Sequence, residues 1–445
     1  MTLFGVGFLA NSKTETNEDF LVGGRSFNLW LSTFCLFATW FGAGTIISAT
    51  DEISSTGISA SLLEPYGSGF CLIIAGFLLA KKLWEMQLLT YSDFFKIKFG
   101  TKVEGVSVFT TLPTFIGWIA VQYLAVSEII ATFTPLTHIQ ALLIIVLLTT
   151  LLTMMGGMWS VSLTDSVQMF IIIIGLVYLF FKIFFELDLG AFEMYEMLPI
   201  EKKSLNIDNF QKALGLLSAF SIAALGNLTG QDLGQRIFSA KSAKVARNAC
   251  LIAGVLYLLI GSIPVWFGMT SELTIGPEYE GNLISLLIKK YLDPVTSIVL
   301  LLAITSAVVS TITSALLAPS SVLANNFLNR VFPNVSELKL CRISVVLVAI
   351  TSLIVALMGE NVYSLLEDSY AIGFVGFFPA LLIGLYSKKL SEIPMLITIF
   401  VASTIWICSF FVEFQYSSEL IAVAVSFPVY YGLYFFFGNK NKEVA

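Results

Sequence analysis

Two adjacent hydroxyl residues, Ser310 and Thr311, lie deep in an apolar stretch that carries no charge between Asp293 and Arg330. On a helix, the carbonyl of one residue lies beside the residues three and four positions on, so the Ala307 oxygen stands next to both hydroxyls. Three neutral oxygens at membrane depth form part of a cage for a small hard cation that has shed its water. One helix cannot close such a cage, so the remaining oxygens must come from broken backbone elsewhere. The competing reading is that Ser and Thr in membrane helices bond back to their own backbone. The features that accompany the pair therefore decide its meaning.

Carboxylates in or beside apolar stretches are the second kind of candidate. Glu64 precedes Pro65, Asp165 opens one apolar run, and Asp232 closes another. An ionised carboxylate is expensive in lipid, so each must face a cavity or a partner. Helix capping would also account for Asp165, and a place near the outer interface would account for Glu64. Thr45, Gln122 and Tyr123 are neutral polar groups in apolar stretches, and with Glu64 and Asp232 they are the candidates to line a polar ligand site. No catalytic constellation is visible. The single His138 rules out a histidine metal cluster, and Cys35, Cys71, Cys250, Cys341 and Cys408 are too far apart for paired zinc spacing or a disulfide framework.

The elements that must position these groups are membrane helices. Hydrophobic residues make up 57% of the 445 and charged residues only 12%, with a mean hydropathy of +0.87. A soluble core does not need that much apolar surface, whereas a multi-span membrane protein does. Apolar runs between charges predict twelve spans, near 27–49, 56–80, 105–132, 139–156, 160–183, 209–229, 248–269, 294–325, 342–358, 369–386, 394–412 and 418–438. With the N-terminal segment inside, inner loops collect eighteen Lys and Arg residues and outer loops six. That bias alternates correctly at every crossing. The first ten residues are apolar, too short to span and without a basic lead, which argues against a signal peptide.

Two spans carry breaks. The first contains Ala38-Thr39-Trp40-Phe41-Gly42-Ala43-Gly44-Thr45, and the sixth contains Ala223-Ala224-Leu225-Gly226-Asn227-Leu228-Thr229-Gly230. Each glycine weakens a helix by roughly 1 kcal/mol relative to alanine. Non-helical backbone at membrane depth is tolerated only where it lines a protein-walled or water-filled site. The two spans run in opposite directions, as two inverted five-helix repeats would require. Close helix packing at the glycines is the alternative.

At these residues the chain resembles the sodium:solute symporter family. The resemblance is carried by Asp19-Phe20-Leu21-Val22-Gly23-Gly24-Arg25-Ser26 followed by Ala38-Thr39-Trp40, and by Leu152 to Ser160 continuing through Thr164-Asp165 to Gln168. Gln235-Arg236-Ile237-Phe238-Ser239-Ala240-Lys241-Ser242, similar to the loop after the family's sixth helix, and the eighth helix complete it. The resemblance implies an all-α membrane protein with a LeuT-like core of two inverted five-helix repeats. It further implies a sodium site formed by the carbonyls of Ala38, Phe41 and Ala307 with the hydroxyls of Ser310 and Thr311, and Asp165 near the inward sodium path. Two departures stand out. The family's extra N-terminal helix is reduced to Met1–Ala10, and Thr45, Gly254 and Gly230 replace polar groups that sugar-transporting relatives use, with only Glu64 matching, which disfavours sugar.

The expected organisation is a short inner segment over 1–26, a core over 27–386 with repeats near 27–183 and 209–386, two further helices over 387–438, and an inner tail over 439–445. The expected function is secondary active transport rather than catalysis: sodium, the coupling ion, drives symport of a small organic solute into the cell by alternating access. The lipid bilayer is the implied environment, and nothing implies nucleic acid or an obligate protein partner. Proton coupling through Glu64 or Asp165 is the runner-up. A channel would need a longer polar stripe than any span shows, and a membrane sensor would need an output domain.

Overall fold

The computed structural model describes residues 17–155, 158–358 and 362–437, and these are helical almost throughout. Residues 1–16, which include the apolar first ten, the pair Gly156-Gly157, residues 359–361 and the tail from 438 lie outside the described residues. The first span is two helices, α1 (Leu29–Trp40) and α2 (Gly44–Thr56), bent by 52° at the break between them. They are followed by α3 (Ile58–Glu85), a short inner helix α4 (Tyr91–Lys98), α5 (Thr101–Phe133), α6 (His138–Met155) and α7 (Met158–Leu187). After the outer segment come α8 (Phe210–Thr229), α9 (Gln231–Ser239) and α10 (Ala243–Met269). The chain continues with α11 (Pro294–Val322), α12 (Glu337–Met358), α13 (Val362–Tyr386), α14 (Glu392–Cys408) and α15 (Ser418–Phe437).

Among the described residues, nine helices are long and apolar enough to cross a membrane, or ten with the bent pair counted as one span. The two shorter apolar helices are the fourth and eleventh of the expected twelve. The sixth span departs from expectation. Its continuation over 231–239 is helical and buried rather than a loop, and Asp232 opens that helix instead of ending the one before it. Two charged side chains made the segment read as surface, but Arg236 is only 1% exposed. Asp165 likewise sits two turns inside α7 rather than at its start.

Local chemistry sets the helix ends. Asn28 caps α1 by accepting the Leu31 amide at 3.0 Å. Thr90 and Asp93 form a reciprocal capping box on α4, and Asp293 with Pro294 opens α11. Lipid-facing surfaces carry large apolar side chains, such as Phe170 and Ile174 of α7 and Leu302 of α11, all more than half exposed. The inner layer is α1, α5, α10, α11 and α13, which pack on one another around the two breaks.

Candidate functional site

The break after α1 exposes backbone groups that a continuous helix would pair. Phe41 leaves helical geometry at φ −81°, ψ 64°, and the Gly42 amide reaches only to Trp40 O, at 2.9 Å. Side chains satisfy what is left over. Gln122 Oε1 accepts the Ala43 amide at 3.0 Å, and the Tyr257 hydroxyl lies 3.1 Å from the Trp40 carbonyl. Non-helical backbone in the membrane interior is thus held by protein partners, as the absence of water there demands.

Against this break lies α11. The Thr311 hydroxyl donates to Ala307 O at 3.0 Å, the ordinary back-bond of a membrane threonine. The same oxygen also lies 3.4 Å from Ala38 O, across the helix interface. Thr311 therefore brings carbonyls of α1 and α11 together around one hydroxyl. Ser310 turns elsewhere: its hydroxyl hydrogen-bonds the Asp165 carboxylate on α7. Phe41 stands at the break with its amide bonded to Phe37 O at 2.8 Å. Beside this cluster is Arg236, which bonds Ser314 Oγ and, at 3.3 Å, Asp232 O.

A second cluster surrounds Glu64, whose carboxylate is 1% exposed. Thr45 Oγ1 at 3.0 Å and the Tyr257 hydroxyl at 2.8 Å donate to one oxygen. Ser68 Oγ at 2.6 Å and the Tyr370 hydroxyl at 2.9 Å donate to the other. Thr45 and Tyr257 also bond each other. One carboxylate thereby ties together α2, α3, α10 and α13. Four donors answer the desolvation that would otherwise make a buried acid prohibitive.

Between the breaks lies a small cavity of about 50 Å³. Its lining includes Trp40, Trp118, Tyr370, Asn227, Asp232 and Phe377. No Lys, Arg or His contributes to the wall. The Asp232 carboxylate accepts the Leu233 amide at the start of α9, and the buried Asn227 Nδ2 has no partner.

Of the sequence candidates, Thr45 and Glu64 meet directly, and Asp232 lines the cavity. Gln122 is engaged by the backbone of the break. Tyr123 points away from both clusters, toward Thr149 and Thr150 of α6. Trp40, Trp118, Asn227, Tyr257 and Tyr370 escaped sequence reading as site residues. An aromatic residue in an apolar helix ordinarily signals core packing, and only the fold shows these rings converging.

The model of the sodium:solute symporter family matches residues 20–401. The chain is 28% identical over 405 residues to the high affinity choline transporter 1 of Homo sapiens, covering 85% of this chain and 68% of that one. It is 27% identical over 420 residues to sodium/proline symporter 2 of Staphylococcus saprophyticus, covering 88% and 80%. A substrate-bound, outward-open Na+-coupled sialic acid symporter superposes with a TM-score of 0.83 at 18% identity, over 98% of this chain and 96% of that one. The nucleobase-cation-symport transporter Mhp1 in a closed conformation gives 0.67 at 14%, over 94% and 95%. The fold is thus that of the LeuT-like transporters. The chain belongs to the sodium:solute symporter family, as a multi-pass membrane protein that moves a small solute together with sodium.

Proposed function

We propose that the solute is a small organic cation of the quaternary or tertiary ammonium class, held between Trp40, Trp118 and Tyr370. The observation that carries this reading is the cavity wall, with six aromatic residues, Trp40, Trp118 and Tyr370 among them, the Asp232 carboxylate and no basic side chain. Aromatic faces attract a weakly hydrated cation through their quadrupoles, and each such contact contributes about 0.5–2 kcal/mol. Likeness to choline transporters supports the same class. Asn227 Nδ2, without a protein partner, is available to a hydroxyl or ether oxygen on the solute.

Sodium would bind where α1 breaks against α11, with the carbonyls of Ala38, Phe41 and Ala307 and the hydroxyls of Ser310 and Thr311 as ligands. Coupling then follows from chain connectivity. Trp40 lies two residues after Ala38, so the segment that supplies sodium with a carbonyl also presents an aromatic wall to the solute. Ordering that segment around the ion prepares the solute site, which makes each ligand favour the other. One sodium moving inward across 100 mV supplies about 2.3 kcal/mol before any concentration gradient.

The same reading takes the chain across the membrane twelve times, as inverted repeats near 27–183 and 209–386 followed by two further helices. Matching breaks in the first and sixth spans support it. With the N-terminal segment inside, the part of the wall formed by Phe95, Thr110, Thr111, Asp232 and Phe377 would lie toward the inner side, and the cavity would open that way. The Glu64 cluster closes the path on the outer side.

Radiolabelled uptake into proteoliposomes tests the solute class, with choline, betaine and proline compared under inward sodium and inward potassium gradients. Saturable, sodium-dependent choline uptake is expected. Sodium-driven proline or betaine uptake that choline does not inhibit would overturn the cationic reading.

A further inference from the structure

Above the central cavity lies a second pocket, of about 210 Å³, lined by Ile47, Ser48, Asp51, Glu52, Glu128 and Tyr363, among others. Its walls continue the helices that line the cavity below. Trp40 leads through the break to Ser48 and Glu52 on α2, Trp118 leads to Glu128 on α5, and Tyr370 leads back to Tyr363 on α13. The ten residues from Trp118 to Glu128 rise about 15 Å along α5. The two pockets are therefore stacked along the same helices, with Thr45, bonded to Glu64, lying between Trp40 and Ser48 along the first span.

The pocket is acidic and its charge is uncompensated. Three carboxylates line it with no Lys or Arg. Among the described residues, none of them enters an ion pair. Asp51 is committed to structure, accepting Asn282 Nδ2 at 3.1 Å and the Leu283 amide at 2.9 Å. Glu52 and Glu128 have no such commitment, and the nearby His138 is bonded to Ser127. An independent feature also marks the pocket as built for a ligand. Ser48 is 7% exposed, yet its hydroxyl has no hydrogen-bond partner. The carbonyl one turn back, that of Gly44, accepts the Ala49 amide instead. A buried hydroxyl left unpaired in a cavity wall is costly unless something arrives to use it.

We infer that this pocket is an outer capture site for the cationic solute, holding its ammonium group between Glu52 and Glu128 before the path opens to the central cavity. The inference rests on the cationic reading of the solute. Among the described residues, no three His, Cys, Asp or Glu side chains converge to hold a metal ion. The arrangement thus suits a bulky, weakly hydrated cation attracted by field more than by coordination. A cleft of one charge sign raises the local concentration of its counter-ion and hence its rate of entry.

The test is choline uptake by the full-length protein in proteoliposomes at fixed sodium, comparing wild type with Glu52→Gln, Glu128→Gln and the double variant. The double variant should raise KM about five- to tenfold at low ionic strength while leaving the maximal rate within about twofold. The difference should shrink as potassium chloride is raised to about 0.3 M, where screening is strong. Ser48→Ala should raise KM about twofold, the effect of one neutral hydrogen bond. Choline uptake by wild type with an unchanged KM in the double variant overturns this inference alone. A raised sodium half-saturation with unchanged choline KM also overturns it, because the pocket would then serve the ion. Absence of choline uptake by the wild type overturns the cationic reading itself, and this inference with it.

Discussion

Ser310 and Thr311 are neighbours in sequence, but their hydroxyls serve different partners, and substitutions should separate them. Thr311 Oγ1 lies between the carbonyls of Ala307 and Ala38, whereas Ser310 reaches Asp165. Loss of one oxygen ligand from a buried site weakens binding by on the order of 1–3 kcal/mol. Thr311→Ala should therefore raise the sodium concentration for half-maximal uptake by roughly five- to a hundredfold, with normal delivery to the membrane. Ser310→Ala removes a second proposed ligand and should raise it as well, and by releasing Asp165 it should also slow turnover. Sodium titrations of initial uptake rates check both, and an unchanged sodium dependence in Thr311→Ala would remove this residue from the ion site. Glu64 poses a different problem, because four hydroxyls depend on it. Glu64→Ala would strand those donors in a buried space, at about 1 kcal/mol or more apiece. It should lower the unfolding temperature of the detergent-solubilised protein well beyond the effect of Glu64→Gln, which keeps the shape and one carbonyl acceptor. Equal melting temperatures for the two variants would show that the network contributes little.

At the scale of the element, the two broken spans decide the architecture, and one glycine shows how tightly. A Cβ on Gly226 would lie 2.5 Å from the Tyr370 carbonyl oxygen, a backbone atom that cannot swing away. Gly226→Ala must push α13 off α8 and carry Tyr370 away from both Glu64 and the cavity. Gly215 lies on the same helix with nothing within 4 Å of the same construction. Gly226→Ala should reduce uptake at least tenfold, while Gly215→Ala should leave it within twofold and strengthen the helix by up to about 1 kcal/mol. Uptake by Gly226→Ala close to wild type would mean that the two helices are not pressed together in the working cycle. The same spans show what was legible in the sequence. Glycine pairs in long apolar runs marked both breaks, because helix propensity is a local property. The hydroxyl pair on α11 was legible for a similar reason, since helical spacing alone places the Ala307 carbonyl beside it. The Glu64 cluster was legible only in part. Glu64 and Thr45 were anomalous as polar groups in apolar stretches, but Tyr257 and Tyr370 were not, and their hydroxyls arrive from residues 193 and 306 positions away. Segment 231–239 misled for the opposite reason. Its charged residues imitate a loop, and the neighbours that bury Arg236 come from distant parts of the chain.

For the whole molecule, the positive-inside count and the contacts sort the loops into the same two sets. Lys241 N donates to Phe27 O at 3.0 Å, and Arg25 reaches the carbonyls of Gln87 and Leu88. Lys202 pairs with Glu272 at 2.7 Å, and its backbone crowds Gly57. Cysteines introduced at Lys202 and Lys241 should thus react with an impermeant maleimide from opposite faces of the membrane. Cys408 should be replaced first, because it is the one exposed cysteine. Labelling of both positions from the same face would end the twelve-crossing arrangement. Orientation in turn defines what drives transport, and Asp165 discriminates between the two candidate ions. It is buried, bonded to Ser310 and near Arg236. If sodium is the coupled ion, neutral oxygens hold it at the α1–α11 junction, and the carboxylate only eases its departure. Asp165→Asn should then slow turnover several-fold while uptake still requires sodium. If a proton were coupled, the carboxylate would be the carrier, and the same substitution should abolish uptake against a gradient while sparing solute exchange. The oxygens gathered around Thr311 have no part in a proton-only cycle, which favours the first outcome. Concentrative uptake driven by a pH gradient alone, in sodium-free medium, would overturn it.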